Sequence, residues 1–109
     1  MQRVTTPTHT FVLDTDPGEW DVFRITYRQG NTTILELTEK DAYIVEEKSS
    51  GYQLSYTLTQ EQTRKFTPGR QAKVQIRAHY PDGKVVASEV FSFMVADVFN
   101  QEILDNSCI

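Results

Sequence analysis

Short runs of alternating apolar and polar residues are the feature that most limits what this chain can fold into. Successive side chains of a β-strand point to opposite faces, so a period of two gives each strand one apolar and one polar face. The runs are rich in Val, Ile, Thr, Tyr and Phe and are separated by turn-forming residues. Strands are predicted over residues 8–13, 22–28, 32–39, 42–46, 52–58, 72–80 and 84–95.

The connections between these runs favour a sandwich. Thr59 and Gln62 have the spacing of a helix capping box, which predicts a short helix from Gln60 to Lys65. Residues 81–83 (PDG) are typical of a bulged hairpin turn. The fold class predicted is all-β, an immunoglobulin-like antiparallel β-sandwich of about seven strands with one short crossover helix; a small β-barrel is the alternative. Residues 1–109 are expected to form one domain, with an ordered core over about 7–96 and a tail over 97–109.

Two local patterns lead to specific expectations about register. If Arg28 pairs with Thr32, a three-residue loop with Asn31 in the left-handed conformation sets Ile25 against Leu35, so that apolar residues face each other. The run over 84–95 is apolar on both faces in its second half. Either both faces are covered there, or a bulge near Glu89 changes the phase.

No residues have the spacing of a catalytic or metal site. His9 and His79 have no neighbouring ligands in sequence, and no nucleophile elbow or glycine-rich phosphate loop is present. Four carboxylates lie between Asp14 and Asp21, but Gly18 comes one place too early for a calcium loop, so calcium binding there stays open and an acidic loop is preferred. We expect a non-enzymatic protein without cofactor, metal or small-molecule substrate.

Charge and composition narrow the classes of partner. The formal net charge is −4, which disfavours nucleic-acid coating and adhesion to anionic membranes. No apolar run approaches a membrane span or forms a signal peptide, and the single cysteine, Cys108, excludes an internal disulfide. Synthesis in a reducing compartment such as the cytoplasm is therefore the expectation.

Two sets of side chains are candidate contacts for a protein partner. One is a basic stripe on the outward faces of two strands, which would join into one patch if the strands are neighbours. The other is an apolar stripe in the tail. The stripe consists of Arg24, Arg28, Lys73 and Arg77, and the tail set consists of Phe99, Ile103 and Leu104.

Several segments together resemble a set of small uncharacterised proteins encoded in prophages and phage-like regions of gut Firmicutes. They are residues 7–11 (PTHTF), 24–30 (RITYRQG), 58–63 (LTQEQT), 73–77 (KVQIR) and 82–83 (DG). The resemblance covers about residues 7–104 and excludes 106–109 (NSCI). It implies a virion-associated structural or accessory phage protein that packs against other phage proteins or itself, and it brings no catalytic residues. The alternative is an adhesion or glycan-binding module, with Trp20 and either Tyr43 or Tyr52 as its aromatic candidates.

Overall fold

The structure, a computed structural model, describes residues 1–96 and confirms an all-β sandwich with one short helix. Its eight strands lie in two antiparallel sheets. The strands are β1 (Thr8–Leu13), β2 (Val22–Gln29), β3 (Thr32–Thr38), β4 (Ile44–Lys48), β5 (Gly51–Thr57), β6 (Gln71–His79), β7 (Val85–Ala87) and β8 (Phe91–Met94). The helix α1 spans Gln60–Arg64, and a 3-10 turn spans Pro17–Glu19.

The strand order matches an immunoglobulin-like sandwich that lacks its first strand. One sheet has the order β1-β5-β4, and the other has the order β3-β2-β6-β7, with β8 also paired to β6. If β1 is equated with immunoglobulin strand B, the sheets correspond to B-E-D and C′-C-F-G. The predicted fourth strand, over 42–46, is found two residues later because Lys48 pairs with Gly51 across a two-residue turn.

The core lies between the two sheets and consists of the inward residues of each alternating strand. Ile25 and Tyr27 of β2 and Leu54 of β5 are fully buried, and Phe66 closes the end near α1. Alternation therefore identified the inward faces of β2, β5 and β6 correctly.

The predicted register of the β2–β3 hairpin is wrong. Ile25 pairs with Leu37 and Tyr27 pairs with Leu35, while the loop has only two residues, Gly30 and Asn31. The register shifts beside Arg28, so β3 contains one extra residue, Ile34. This bulge lets a two-residue turn coexist with apolar pairing. Gly30, with φ of 61°, takes the left-handed position that was expected of Asn31.

The last predicted strand is divided in two. Both β7 and β8 pair with β6, but their registers differ by one residue, as expected for a bulge near Glu89. The Ser88 hydroxyl accepts a hydrogen bond from the Ile76 amide at 3.0 Å, and the Gln75 side chain donates to the Ser88 carbonyl at 2.9 Å. Side-chain bonds thus replace part of the ladder where the strand breaks.

The capping box of α1 is confirmed. The Thr59 hydroxyl accepts from the Gln62 amide at 3.1 Å, and the Gln62 side chain accepts from the Thr59 amide at 2.9 Å. The helix ends one residue earlier than predicted, with Lys65 as its C-cap. None of the helices among residues 1–96 is long and apolar enough to cross a lipid bilayer.

Candidate docking surface

Four exposed cations lie together on the outer face of the five-stranded sheet. Arg24 of β2 lies opposite Arg77 of β6, and Arg28 lies opposite Lys73, because β2 and β6 are neighbouring strands. One polar residue pair separates the two cationic pairs. The basic stripe predicted from strand alternation is therefore one continuous surface, which we call the basic face.

The four cations of the basic face form no salt bridge with any residue that the structure describes. Like charges directly opposite each other destabilise an antiparallel sheet. Within residues 1–96, both salt bridges lie elsewhere. Glu36 lies on the adjoining strand β3 but accepts a hydrogen bond from the Thr26 hydroxyl at 3.4 Å instead of pairing with an arginine. Anionic groups from outside the described chain would relieve this repulsion.

The surface of the basic face is concave near the β2–β3 turn. A shallow depression of about 370 Å³ lies there. The Arg70 guanidinium adds a further cation beside it, 3.5 Å from the position that a Cβ on Gly30 would occupy. The residues around the depression include Thr26, Arg28, Asn31, Lys73, Gln75, Arg77 and Val90.

Exposed apolar residues border the cations. Val22 pairs with His79, which pairs with Val85, in the row next to Arg24 and Arg77. Val22 is 39% exposed and Val85 is 55% exposed. Arginines beside exposed apolar groups are a common composition of protein–protein interfaces, where Arg is enriched.

A second charged surface, with the opposite sign, lies at one end of the sandwich. Asp14, Asp16 and Glu19 follow β1, and Glu47 lies beside Tyr52 in the β4–β5 pair, where Tyr52 also pairs with Leu13 of β1. We call Asp14, Asp16, Glu19 and Glu47 the acidic end.

The hydroxyl of Tyr52 lies in the negative electrostatic potential of the acidic end. The pKa of its hydroxyl is raised chiefly by the charge of Glu47, with contributions from desolvation and from Asp16 and Glu19. The sequence indicated the acidic loop but not the approach of Glu47. The pairing of β5 with both β1 and β4 brings Glu47 close to the loop after β1, although these segments are more than 30 residues apart in the chain.

A hydrogen bond between a side chain and the backbone shapes the acidic loop. The Asp16 carboxylate accepts a hydrogen bond from the Gly18 amide at 2.8 Å and caps the 3-10 turn. In the described part of the chain, no three His, Cys, Asp or Glu side chains converge on a position that would hold a metal ion.

The two histidines lie apart from each other, His9 on β1 and His79 on β6 in the row next to Arg24 and Arg77. His9 Nδ1 lies 2.6 Å from the Tyr27 hydroxyl, inside the seam between the sheets. His79 Nδ1 lies 3.3 Å from an Asp21 carboxylate oxygen, at the end of β6.

The aromatic candidates for a glycan platform are dispersed. Trp20 is half-buried, packs edge-on against Phe23 and donates its indole N–H to the Tyr80 hydroxyl at 3.2 Å. Tyr43 packs against Phe23 and Tyr56, and no ring contact joins Trp20 to Tyr43 or to Tyr52 among residues 1–96. Trp20 and Tyr43 share the neighbour Phe23, and the glycan-binding alternative stays a prediction.

The tail candidates Phe99, Ile103 and Leu104 lie outside the described residues. Comparisons with protein-family models, with curated proteins and with solved structures find no match to this chain.

Proposed function

We propose that this chain is a non-enzymatic structural or accessory module of a bacteriophage particle that binds an anionic surface of a protein in that particle, either a different protein or a second copy of itself. It would be made in the bacterial cytoplasm and then join the virion. The basic face is the observation that supports this proposal. The resemblance of the chain to prophage-encoded proteins supports the phage assignment.

The physical argument concerns the arrangement of the charges. Four cations in two like-charged cross-strand pairs make the isolated sheet less stable than a mixed pattern would. A partner that supplies carboxylates converts this repulsion into attraction and speeds association by electrostatic steering. The bordering valines add apolar contact area to the same surface.

The proposal is tested on particles. A lysate from the host that carries the gene is fractionated on a density gradient, and the particle fraction is probed for this chain by mass spectrometry. We expect the chain to co-sediment with the capsid or tail proteins, and its absence from purified particles would overturn the proposal.

Two charge-reversal variants locate the contact. R24E/R77E is expected to remain in the soluble fraction, because one of the two cationic pairs of the basic face has reversed its charge. R64E/K65E is the matched control, since it makes the same change of net charge at exposed positions of α1 and its C-cap. Equal incorporation of both variants would exclude the basic face as the docking surface.

A further inference from the structure

We propose that the basic face of one copy binds the acidic end of a second copy of this chain. This inference rests on the proposed function, because it identifies the anionic partner as the protein itself. It is carried by two surfaces of opposite charge that different residues of one molecule form.

Each of the two surfaces contains four charged side chains. Arg24 and Arg28 are four residues apart on β2, which is roughly 13 Å along a strand, and the paired strands add about 5 Å of width. The acidic end gathers carboxylates from the segment after β1 and from the end of β4, around Tyr52. Each surface is therefore several charges wide.

The carboxylates of the acidic end are available for a partner. Asp14, Glu19 and Glu47 are exposed. Within residues 1–96 none of them forms a salt bridge, and the neighbouring Lys48 pairs with Glu46 at 2.8 Å. The cations of the basic face form no salt bridge within the same residues, so a contact between the two surfaces would supply ionic partners to both.

The position of the surfaces dictates the kind of assembly. The basic face lies on the outer side of the five-stranded sheet, whereas the acidic end consists of Glu47 of β4 and carboxylates that follow β1 at an end of the other sheet. A contact between different surfaces of identical copies is heterologous, so each added copy presents a new free surface. Such copies form a ring or an open chain, both of which are repeating arrangements suited to a particle.

The first measurement is the mass of the purified full-length chain in solution. Light scattering after size exclusion is expected to give a mass above the 12.5 kDa monomer that rises with concentration. The assembly should dissociate as salt rises from about 0.01 M to about 1 M, because the screening length falls from about 30 Å to about 3 Å. A monomer at all concentrations in low salt would overturn the inference.

The decisive experiment is a charge swap. R24E/R77E reverses one cationic pair of the basic face, and E19K/E47K reverses two exposed carboxylates of the acidic end. Each variant alone is expected to lose self-association, whereas an equimolar mixture should associate, because the first retains an acidic end and the second retains a basic face. If both variants show native circular dichroism and their mixture still stays monomeric, the proposed contact is contradicted.

A control separates this contact from net charge. R64E/K65E changes the net charge by the same amount as R24E/R77E and should self-associate like the wild type. The two proposals fail in different ways. A monomeric chain that is nevertheless present in particles refutes only the self-contact, and a self-associating chain absent from particles refutes only the phage role.

Discussion

His9 is a titratable side chain enclosed by aromatic rings. Its Nδ1 lies 2.6 Å from the Tyr27 hydroxyl, and its ring centre lies 5.4 Å from that of Phe93. Burial lowers the pKa of His9 below its usual value, and the ammonium group of Met1 lowers it further. Burial also raises the pKa of Tyr27, so the hydroxyl stays protonated. The neutral imidazole is thus the form that the folded protein accommodates.

This pair makes stability depend on pH. Because the folded pKa of His9 is depressed, the unfolded state binds more protons below about pH 6.5, and the free energy of unfolding falls as the pH drops from that value through the folded pKa. Urea unfolding at a series of pH values between 7.5 and 5 measures the slope. H9Q should flatten it, and H79Q should leave the contribution of His9 in place; an unchanged slope in H9Q would refute the assignment.

Between elements, Gln29 joins the β2–β3 hairpin to the segment that follows α1. Its side chain is buried, donates to the Thr67 carbonyl at 2.9 Å and accepts from the Thr67 amide at 2.7 Å. The backbone carbonyl and amide of Thr67 therefore both form hydrogen bonds with the side-chain amide of Gln29. Alternation alone did not indicate this role, because Gln29 only continues the inward face of β2 with a polar side chain.

The Gln29 bridge leads to a prediction about stability. Q29M keeps the volume but removes both hydrogen bonds to the backbone of Thr67, which costs about 0.5–1.5 kcal/mol for each bond lost. The matched control is Q71M, at an exposed glutamine on β6. Chemical unfolding of both variants measures the difference, and equal stabilities would show that water replaces the bridge.

The accuracy of the sequence predictions differed between strands and their registers. Residues 8–13 matched β1, and the capping box at Thr59 was found where predicted, because both signals depend on neighbours in sequence. The β2–β3 register failed because Ile34 forms a bulge. Alternation determines which residues of one strand share a face. An added residue in one strand changes which residues of the two strands lie opposite each other, while the number of apolar residues in the strand stays the same.

For the whole molecule, the placement of charges depended on contacts that the sequence does not display. The alternation of β2 and β6 predicted two basic stripes, and the sandwich architecture suggested that they adjoin. The acidic end needed the pairing of β5 with both β1 and β4, which brings Glu47 to the loop after β1. A surface made from distant segments becomes visible only when the strand order is known.

The basic face should make the isolated chain less stable than it would be with mixed charges. R77E converts the pair with Arg24 from repulsive to attractive, so the monomer should gain about 0.2–1 kcal/mol of unfolding free energy at low salt. The same substitution should weaken self-association. The stability is measured by urea unfolding in dilute solution, because association would itself stabilise the native state.

R77E should raise the stability of the monomer but weaken self-association, and these opposite effects distinguish a docking surface from cations that take no part in binding. R77Q removes the repulsion without creating an ion pair, so it should give intermediate values for both stability and association. The gain in stability should shrink at about 1 M salt, where the screening length is about 3 Å. If R77E stabilises the monomer and associates as well as the wild type, the cations of β2 and β6 contribute nothing to docking, and the repulsion between them has no compensating role in assembly.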